Sequence, residues 1–214
     1  MAKVARGDAA CERDSVTFAE PDYPFPILAG LLRAALENGR TLAVLDFGGS
    51  LGSTYYQCRC LFPEGFEVDW YVVEQEHFVR RGKNQFETER LHFCFSANEV
   101  AARTRPDVVL LSSVLQFLER PYDTLRELSG VGSRYLLVDR TPFSSAPQDR
   151  LTVQRVPPAI YAASYPCRIF SRDRFVSALQ GEWAAIAQFA SGDGWAVADG
   201  HCFRYGGMLF KRRP

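Results

Sequence analysis

The sequence predicts an α/β protein with a doubly wound, mostly parallel sheet, and three observations lead to this fold class. Short apolar runs typical of strands alternate with stretches of helical spacing along most of the 214 residues. The first run, Thr41–Phe47, leads directly into three glycines within five residues. Two later runs, residues 68–74 and 135–139, end in an acid. Helices that follow successive strands cover both faces of a sheet, so this alternation predicts one doubly wound domain.

Composition and charge limit the class of protein. Basic and acidic residues number 25 each, which does not favour a nucleic-acid or membrane-surface protein. The six cysteines and three histidines are scattered without metal-ligand spacing, so we predict no metal site. No apolar run approaches the roughly 18 residues of a membrane span. Free thiols without a secretory signal predict a soluble, cytoplasmic protein.

The first 40 residues are predicted to form an arm and one helix. Residues 1–20 are polar and mixed in charge, which indicates a loose arm. Residues 27–38 carry apolar side chains at helical spacing, with Gly39 just beyond them. We expect this helix to pack on a domain that spans residues 41–214.

The glycine-rich turn after the first strand is the strongest local signal. Such a turn brings backbone N–H groups and a positive helix end to one point, where a ligand can approach the backbone. The spacing matches neither the G-x-G-x-x-G dinucleotide fingerprint nor a P-loop, which needs a lysine. It fits acid-x-Gly-x-Gly-x-Gly from Asp46, with Ser50 replacing the middle glycine. An ordinary structural turn is the alternative.

Acids and hydroxyls at later strand ends have two interpretations each. Glu74 lies 26 residues after Gly48, and an acid at that strand end binds ribose hydroxyls in nucleotide-binding folds. It could instead cap the following helix. Ser96 and Asn98 follow a strand predicted at 91–95, and either of them could make a polar contact to a ligand; a simple cap of the helix from Glu99 is the alternative.

The second half of the chain is predicted to complete the sheet. An almost wholly apolar run at 107–111 indicates a central strand buried on both faces. Residues 182–189 and 205–211 are predicted to be strands, and a loop at 192–194 connects them. Five prolines between residues 140 and 170 indicate an irregular insert, whose Tyr161 and Tyr165 either shape a ligand pocket at the edge of the sheet or serve plain packing.

Four motifs together resemble class I S-adenosylmethionine-dependent methyltransferases over residues 41–214. They are D-F-G-G-S-L-G-S, W-Y-V-V-E, D-V-V-L-L-S-S-V-L-Q-F-L-x-x-P and L-V-D-R-T-P. More narrowly, the chain is similar to a small bacterial family marked by that glycine loop and the D-R-T-P. The resemblance implies a Rossmann-like sheet with an antiparallel last strand and S-adenosylmethionine as the cofactor. The serine at position 50 departs from the general glycine pattern.

The resemblance also implies roles by motif position. Nine residues would lie along the cofactor: Asp46, Gly48, Gly49 and Gly52 at the methionine portion, Glu74 at the ribose, Gln75 or Ser96 at the adenine, and Ser112 and Ser113 at the sulfonium end.

Methyl transfer to a hydroxyl benefits from a general base beside the acceptor. Asp139 and His201 are the candidates, with Tyr165 behind them. Asp139 could instead pair with Arg140 or Arg168, and a lone histidine near a strand end is more often structural.

The sequence favours a methyltransferase acting on a small-molecule or glycan-type acceptor, at oxygen. The alternative is a non-catalytic module that binds S-adenosylmethionine in regulation or assembly. A nicotinamide oxidoreductase is disfavoured by the glycine spacing.

Overall fold

The computed structural model describes residues 11–13, 16–18, 22–156, 158 and 162–214. Within these ranges it contains eleven strands and six α-helices. Their bounds are β1 Cys11–Arg13, β2 Val16–Phe18, α1 Phe25–Glu37, β3 Thr41–Phe47, α2 Ser53–Cys58, β4 Glu67–Val73, α3 Glu76–Gln85, β5 Leu91–Cys94, α4 Ala97–Arg103, β6 Val108–Ser112, α5 Pro121–Ser129, β7 Tyr135–Ser144, β8 Arg150–Arg155, β9 Ser164–Ser171, α6 Arg172–Leu179, β10 Trp183–Ala198 and β11 His201–Arg212.

The strand order confirms the predicted fold class. The main sheet runs β10-β11-β7-β6-β3-β4-β5. Strand β3 pairs in parallel with β4 and β6, and β4 pairs in parallel with β5. The last strand, β11, is antiparallel to β10 and lies between β10 and β7. The first strand of the α/β alternation is therefore central, and the chain winds outward from it in both directions.

The chain divides into two compact units, Met1–Leu110 with Gly130–Tyr135, and Leu111–Ser129 with Leu136–Pro214. In the first unit the predicted helix is confirmed as α1, which buries Ile27, Leu31 and Ala34 and contacts β3. This burial at helical spacing is why the apolar pattern identified the helix. The predicted division near residue 40 stays a prediction.

The described part of the N-terminal arm is more regular than expected. Residues 11–13 and 16–18 form an antiparallel pair of strands. After this pair, the Gln57 Nε2 of α2 donates a hydrogen bond of 2.7 Å to the Asp22 carbonyl. That bond ties the segment before α1 to the helix that follows the glycine loop.

Residues 140–170 are also more regular than the expected insert. Strand β7 continues past Asp139 to Ser144, and β8 and β9 form an antiparallel pair. Strand β9 buries Cys167 and Ile169, which are two residues apart and so share one face. Pro142 and Pro166 lie inside β7 and β9, so these two prolines do not prevent strand formation.

The prediction of a connecting loop at 192–194 is wrong. These residues lie inside β10, where the register with β11 shifts between Ala190 and Trp195. The turn itself is Asp199–Gly200, and both residues have positive φ. Extra residues in one strand of an antiparallel pair form a bulge, so glycines that resembled a loop in the sequence belong to a bulge in a long hairpin.

Candidate functional site

The glycine loop after β3 has an unusual backbone. Gly48, Ser50 and Gly52 have φ values of 75°, 54° and 84°. The Gly48 N–H donates to the Val73 carbonyl at 2.9 Å, which ties the loop to the end of β4. Ser50 occupies the position where the motif usually has glycine, and it adopts the left-handed conformation that glycine tolerates best. The loop therefore keeps its turn with a strained serine at this position.

Asp46 supports the loop from the protein interior. Its side chain is 1% exposed, and the Trp70 indole N–H donates to Oδ2 at 2.9 Å. A Cβ atom at Gly49 would lie 2.4 Å from the same Oδ2, so only glycine fits over this carboxyl group. Burial raises the pKa of Asp46 to about 7, against the lowering effect of the Trp70 hydrogen bond, and the charge of Glu74 raises it further.

Glu74 connects the loop to the end of β4. Its Oε1 accepts a hydrogen bond from the Ser50 backbone N–H at 3.3 Å, and its Oε2 accepts one from the Gln75 N–H at 2.7 Å. Gln75 is exposed and precedes α3. The structure thus brings the glycines, Asp46 and Glu74 together, and their role in binding a cofactor stays a prediction.

Ser96 caps a helix, which is the structural alternative considered for it. Its Oγ accepts from the Glu99 N–H at 3.2 Å, and Glu99 Oε2 accepts from the Phe95 N–H at 2.8 Å. Sequence reasoning missed Phe95, an aromatic residue half exposed just beyond β5, with the Lys83 ammonium 4.7 Å from the ring centroid. An exposed aromatic directly after a parallel strand was the available signal.

In the second unit, Asp139 lies in a dense hydrogen-bonding environment. The Ser112 hydroxyl donates to Asp139 Oδ2 at 3.5 Å. The Asp139 carbonyl accepts from the Ser113 N–H and the Thr141 hydroxyl, each at 3.1 Å. The side chain is 7% exposed, and burial raises its pKa to about 6 against the opposing effects of the Arg140 N–H and guanidinium. A carboxylate with this pKa is ionised at neutral pH and still basic enough to take a proton.

Two strained residues flank this carboxylate. Ser113 and Arg140 have φ values of 55° and 48°. Gln116 Nε2 donates to the Ser113 Oγ and to the Arg140 carbonyl, both at 3.2 Å. Arg140 Nε donates to Asp193 Oδ2 at 2.9 Å, from the bulge in β10. Sequence reasoning missed Gln116 because its bond to the Arg140 carbonyl spans 24 residues. It missed Asp193 because this residue lies in the stretch that was predicted to be a connecting loop and binds Arg140 across 53 residues.

The other acceptor-side candidates lie elsewhere in the second unit. His201 is exposed at the hairpin turn, opposite Ala198 in the register. In the part of the chain that the structure describes, no hydrogen bond joins it to Asp139. Tyr165 packs edge-on against Phe117, with ring centroids 5.2 Å apart, and Tyr161 lies outside the described residues.

Membrane spans and metal sites were also looked for among the residues that the structure describes. None of their helices is both long and apolar enough to cross a bilayer. Nor do their histidines, cysteines and carboxylates gather in groups of three that could hold a metal ion.

Solved structures resemble the chain, although no protein-family profile and no curated sequence matches it. The N-terminal domain of EvdMO1 with SAH bound is 16% identical, with a TM-score of 0.54 over 98% of this chain and 95% of that one. The glycopeptide N-methyltransferase MtfA complexed with S-adenosyl-L-methionine is 15% identical, with a TM-score of 0.53 over 86% and 88%.

A third similar structure is the 1,6-didemethyltoxoflavin-N1-methyltransferase of Burkholderia thailandensis, bound to its substrate and S-adenosylhomocysteine. It is 14% identical, with a TM-score of 0.51 over 87% of this chain and 77% of that one. None of these three structures tests the predicted similarity to the small bacterial family. Together with the strand order, they show that this chain has the class I methyltransferase fold.

Proposed function

We propose that the protein is an S-adenosylmethionine-dependent methyltransferase. The observation that carries the proposal is the glycine loop, which Asp46 supports from inside and Glu74 holds from the end of β4. The cofactors bound to the similar structures support this choice of ligand. Gly49 packs directly on Asp46, and the Ser50 N–H binds Glu74, so the loop backbone is held in place at the end of β3 and the residues present fit this cofactor.

Each residue of the loop has a role in this proposal. Gly48, Gly49 and Gly52 present the backbone to the methionine portion, and Asp46 acts by holding the loop in place. Glu74 accepts hydrogen bonds from the ribose hydroxyls with the oxygen lone pairs that the loop leaves free. Gln75 and Phe95 flank the adenine, and Ser96 acts through the cap of α4.

The second unit is proposed to serve the acceptor. When bound, S-adenosylmethionine would supply the methyl group from its sulfonium. Asp139 takes the hydroxyl proton, and Ser112 and Ser113 hold its carboxylate and backbone in place. His201 is the second candidate base.

The acceptor is proposed to be a small molecule or glycan bearing a hydroxyl group. Calorimetry with S-adenosylhomocysteine (SAH) tests the cofactor site, and methyl release onto a panel of sugars and small acids tests the chemistry. SAH binding without turnover on any acceptor would favour the alternative, a non-catalytic binding module.

Glu74→Ala should weaken SAH binding about tenfold or more, because a hydrogen bond to a charged group contributes about 1.5–3 kcal/mol. Calorimetric titration measures the affinity. Glu76→Ala is the matched control, since Glu76 is exposed on α3 and pairs with Arg80. Unchanged affinity in Glu74→Ala would remove Glu74 from the site.

A further inference from the structure

A cavity of about 500 Å³ opens on the long β10–β11 hairpin of the second unit. The end of β7 and the first residue of α6, Arg172, complete its lining. Ala190 and Trp195, the two residues at the register shift, both line it. The bulge between them carries Asp193, which binds Arg140 beside Asp139. The segment between Ala190 and Trp195 therefore links the lining of the cavity to Arg140, which is next to the proposed base in the chain.

Two glycines give the cavity an aromatic wall. A Cβ atom at Gly207 would lie 2.3 Å from the Phe189 ring, and one at Gly206 would lie 2.9 Å from the Phe189 carbonyl. The Phe189 ring thus rests directly on the backbone of β11. Tyr205 adds a second ring from the same strand. Flat walls of this kind fit a flat ligand better than a branched one.

Trp195 is the most unusual side chain of this cavity. It is 70% exposed, whereas Trp70 and Trp183 are 0% and 2% exposed. It lies opposite Arg204 in the strand register, and the Arg204 guanidinium carbon is 5.5 Å from the ring centroid. A large apolar ring left in water at the rim of a cavity is typical of a binding surface.

The charge of the lining is of one sign. Arg172 and Arg204 line the cavity, and none of the described residues that line it is acidic. Arg172 pairs with Asp173 at 3.6 Å, but both side chains are exposed, and such pairs contribute little in water. Guanidinium groups bind carboxylates and phosphates in a planar, two-pronged geometry, so the cavity is suited to an anion.

We propose that this cavity binds a planar aromatic ring that carries an anionic group. The ring stacks on Trp195, which shares its face of the hairpin with Arg204, and the anion pairs with Arg204 and Arg172. The proposal also identifies such a molecule, when it carries a hydroxyl group, as the methyl acceptor, and this part rests on the proposed function. A neutral sugar would form no ion pair with either arginine.

Calorimetry on the full chain tests the proposal with five probes. They are 4-hydroxybenzoate, 4-nitrophenyl phosphate, the uncharged 4-hydroxybenzamide, glucuronate and galactose. We expect saturable binding of an aromatic anion at least about tenfold tighter than the benzamide, because a charge-assisted hydrogen bond is worth about 1.5–3 kcal/mol. Whether the benzoate or the phosphate binds more tightly identifies the anionic group. Equal or tighter binding of galactose or glucuronate would overturn the proposal.

Variants locate the binding. Arg204→Gln should reduce affinity for the aromatic anion to that for the benzamide, and Trp195→Ala should weaken both aromatic ligands. Arg126→Gln, which replaces an exposed arginine of α5, is the matched control. An unchanged anion affinity in Arg204→Gln contradicts the proposal. An SAH titration of the same samples separates the two ideas: aromatic-anion binding without SAH binding would uphold the cavity and refute the methyltransferase.

Discussion

Asp139→Asn should lower kcat by about 10²–10⁴-fold, the usual contribution of a general base, while SAH affinity stays within about twofold. The carboxylate is buried beside Ser112, and its loss removes the proton acceptor without changing the shape of the side chain. Steady-state kinetics and calorimetry on the same samples measure the two quantities. Glu64→Gln, which removes an exposed carboxylate between α2 and β4, is the control for a simple change of charge. Full activity in Asp139→Asn would exclude it as the base and direct attention to His201.

The pH dependence of activity gives an independent signature of Asp139. Burial raises its pKa to about 6, so the wild-type kcat should fall as pH decreases through about 6 and the carboxylate takes up a proton. The residual activity of Asp139→Asn should lack this step. A profile with the same step in the variant would assign it to another group.

The same substitution should stabilise the fold. A pKa above the ordinary value means that the folded state disfavours the ionised form, and stability is lost as pH rises from about 4 to about 6. At pH 8, Asp139→Asn should therefore raise the free energy of unfolding by on the order of 2–3 kcal/mol, since one pKa unit is about 1.4 kcal/mol. Below pH 4 the difference should vanish. Urea denaturation at the two pH values checks this trend.

Gly49→Ala should abolish or greatly weaken SAH binding, by at least about tenfold, and lower Tm. The new Cβ would lie 2.4 Å from Asp46 Oδ2, and that carboxyl group is locked by Trp70 in a buried position. The loop must then move away from Asp46, and overpacking of this kind costs about 1–3 kcal/mol. Calorimetry and thermal denaturation measure the two effects.

Gly181→Ala is the matched control for Gly49→Ala. A Cβ at Gly181 meets no atom within 4 Å, so both SAH affinity and Tm should remain unchanged. If Gly49→Ala folds with wild-type Tm and binds SAH with wild-type affinity, the glycine loop does not hold the cofactor. A lower Tm with full SAH affinity would give Gly49 a structural role alone.

Local sequence patterns predicted the elements well where burial has a simple period. Strand β3 was predicted with the bounds that the structure shows, because its apolar run ends in glycines. Ser171 caps α6 by accepting a hydrogen bond from the Arg174 N–H three residues later, which is an interaction of the local kind. The hairpin turn was misplaced because glycines in a bulge and in a loop give the same local signal.

The residues of the candidate site also differ in whether a local sequence pattern identifies them. Asp46 and the glycines were proposed because they form one local motif between β3 and α2, and Glu74 was proposed because an acid follows the next apolar strand. Gln116 belongs to one of the four motifs but was given no role, and Asp193 belongs to none of them.

The sequence by itself determined the alternation of strands and helices, the glycine loop and the acids at the strand ends, because each depends on neighbours a few residues away. Only the tertiary structure decided that Asp193 would bind Arg140 across 53 residues, and that Trp195 would lie exposed beside Arg204 over a cavity. Contacts between distant residues depend on strand order and register, and no periodic pattern in the chain records either of them.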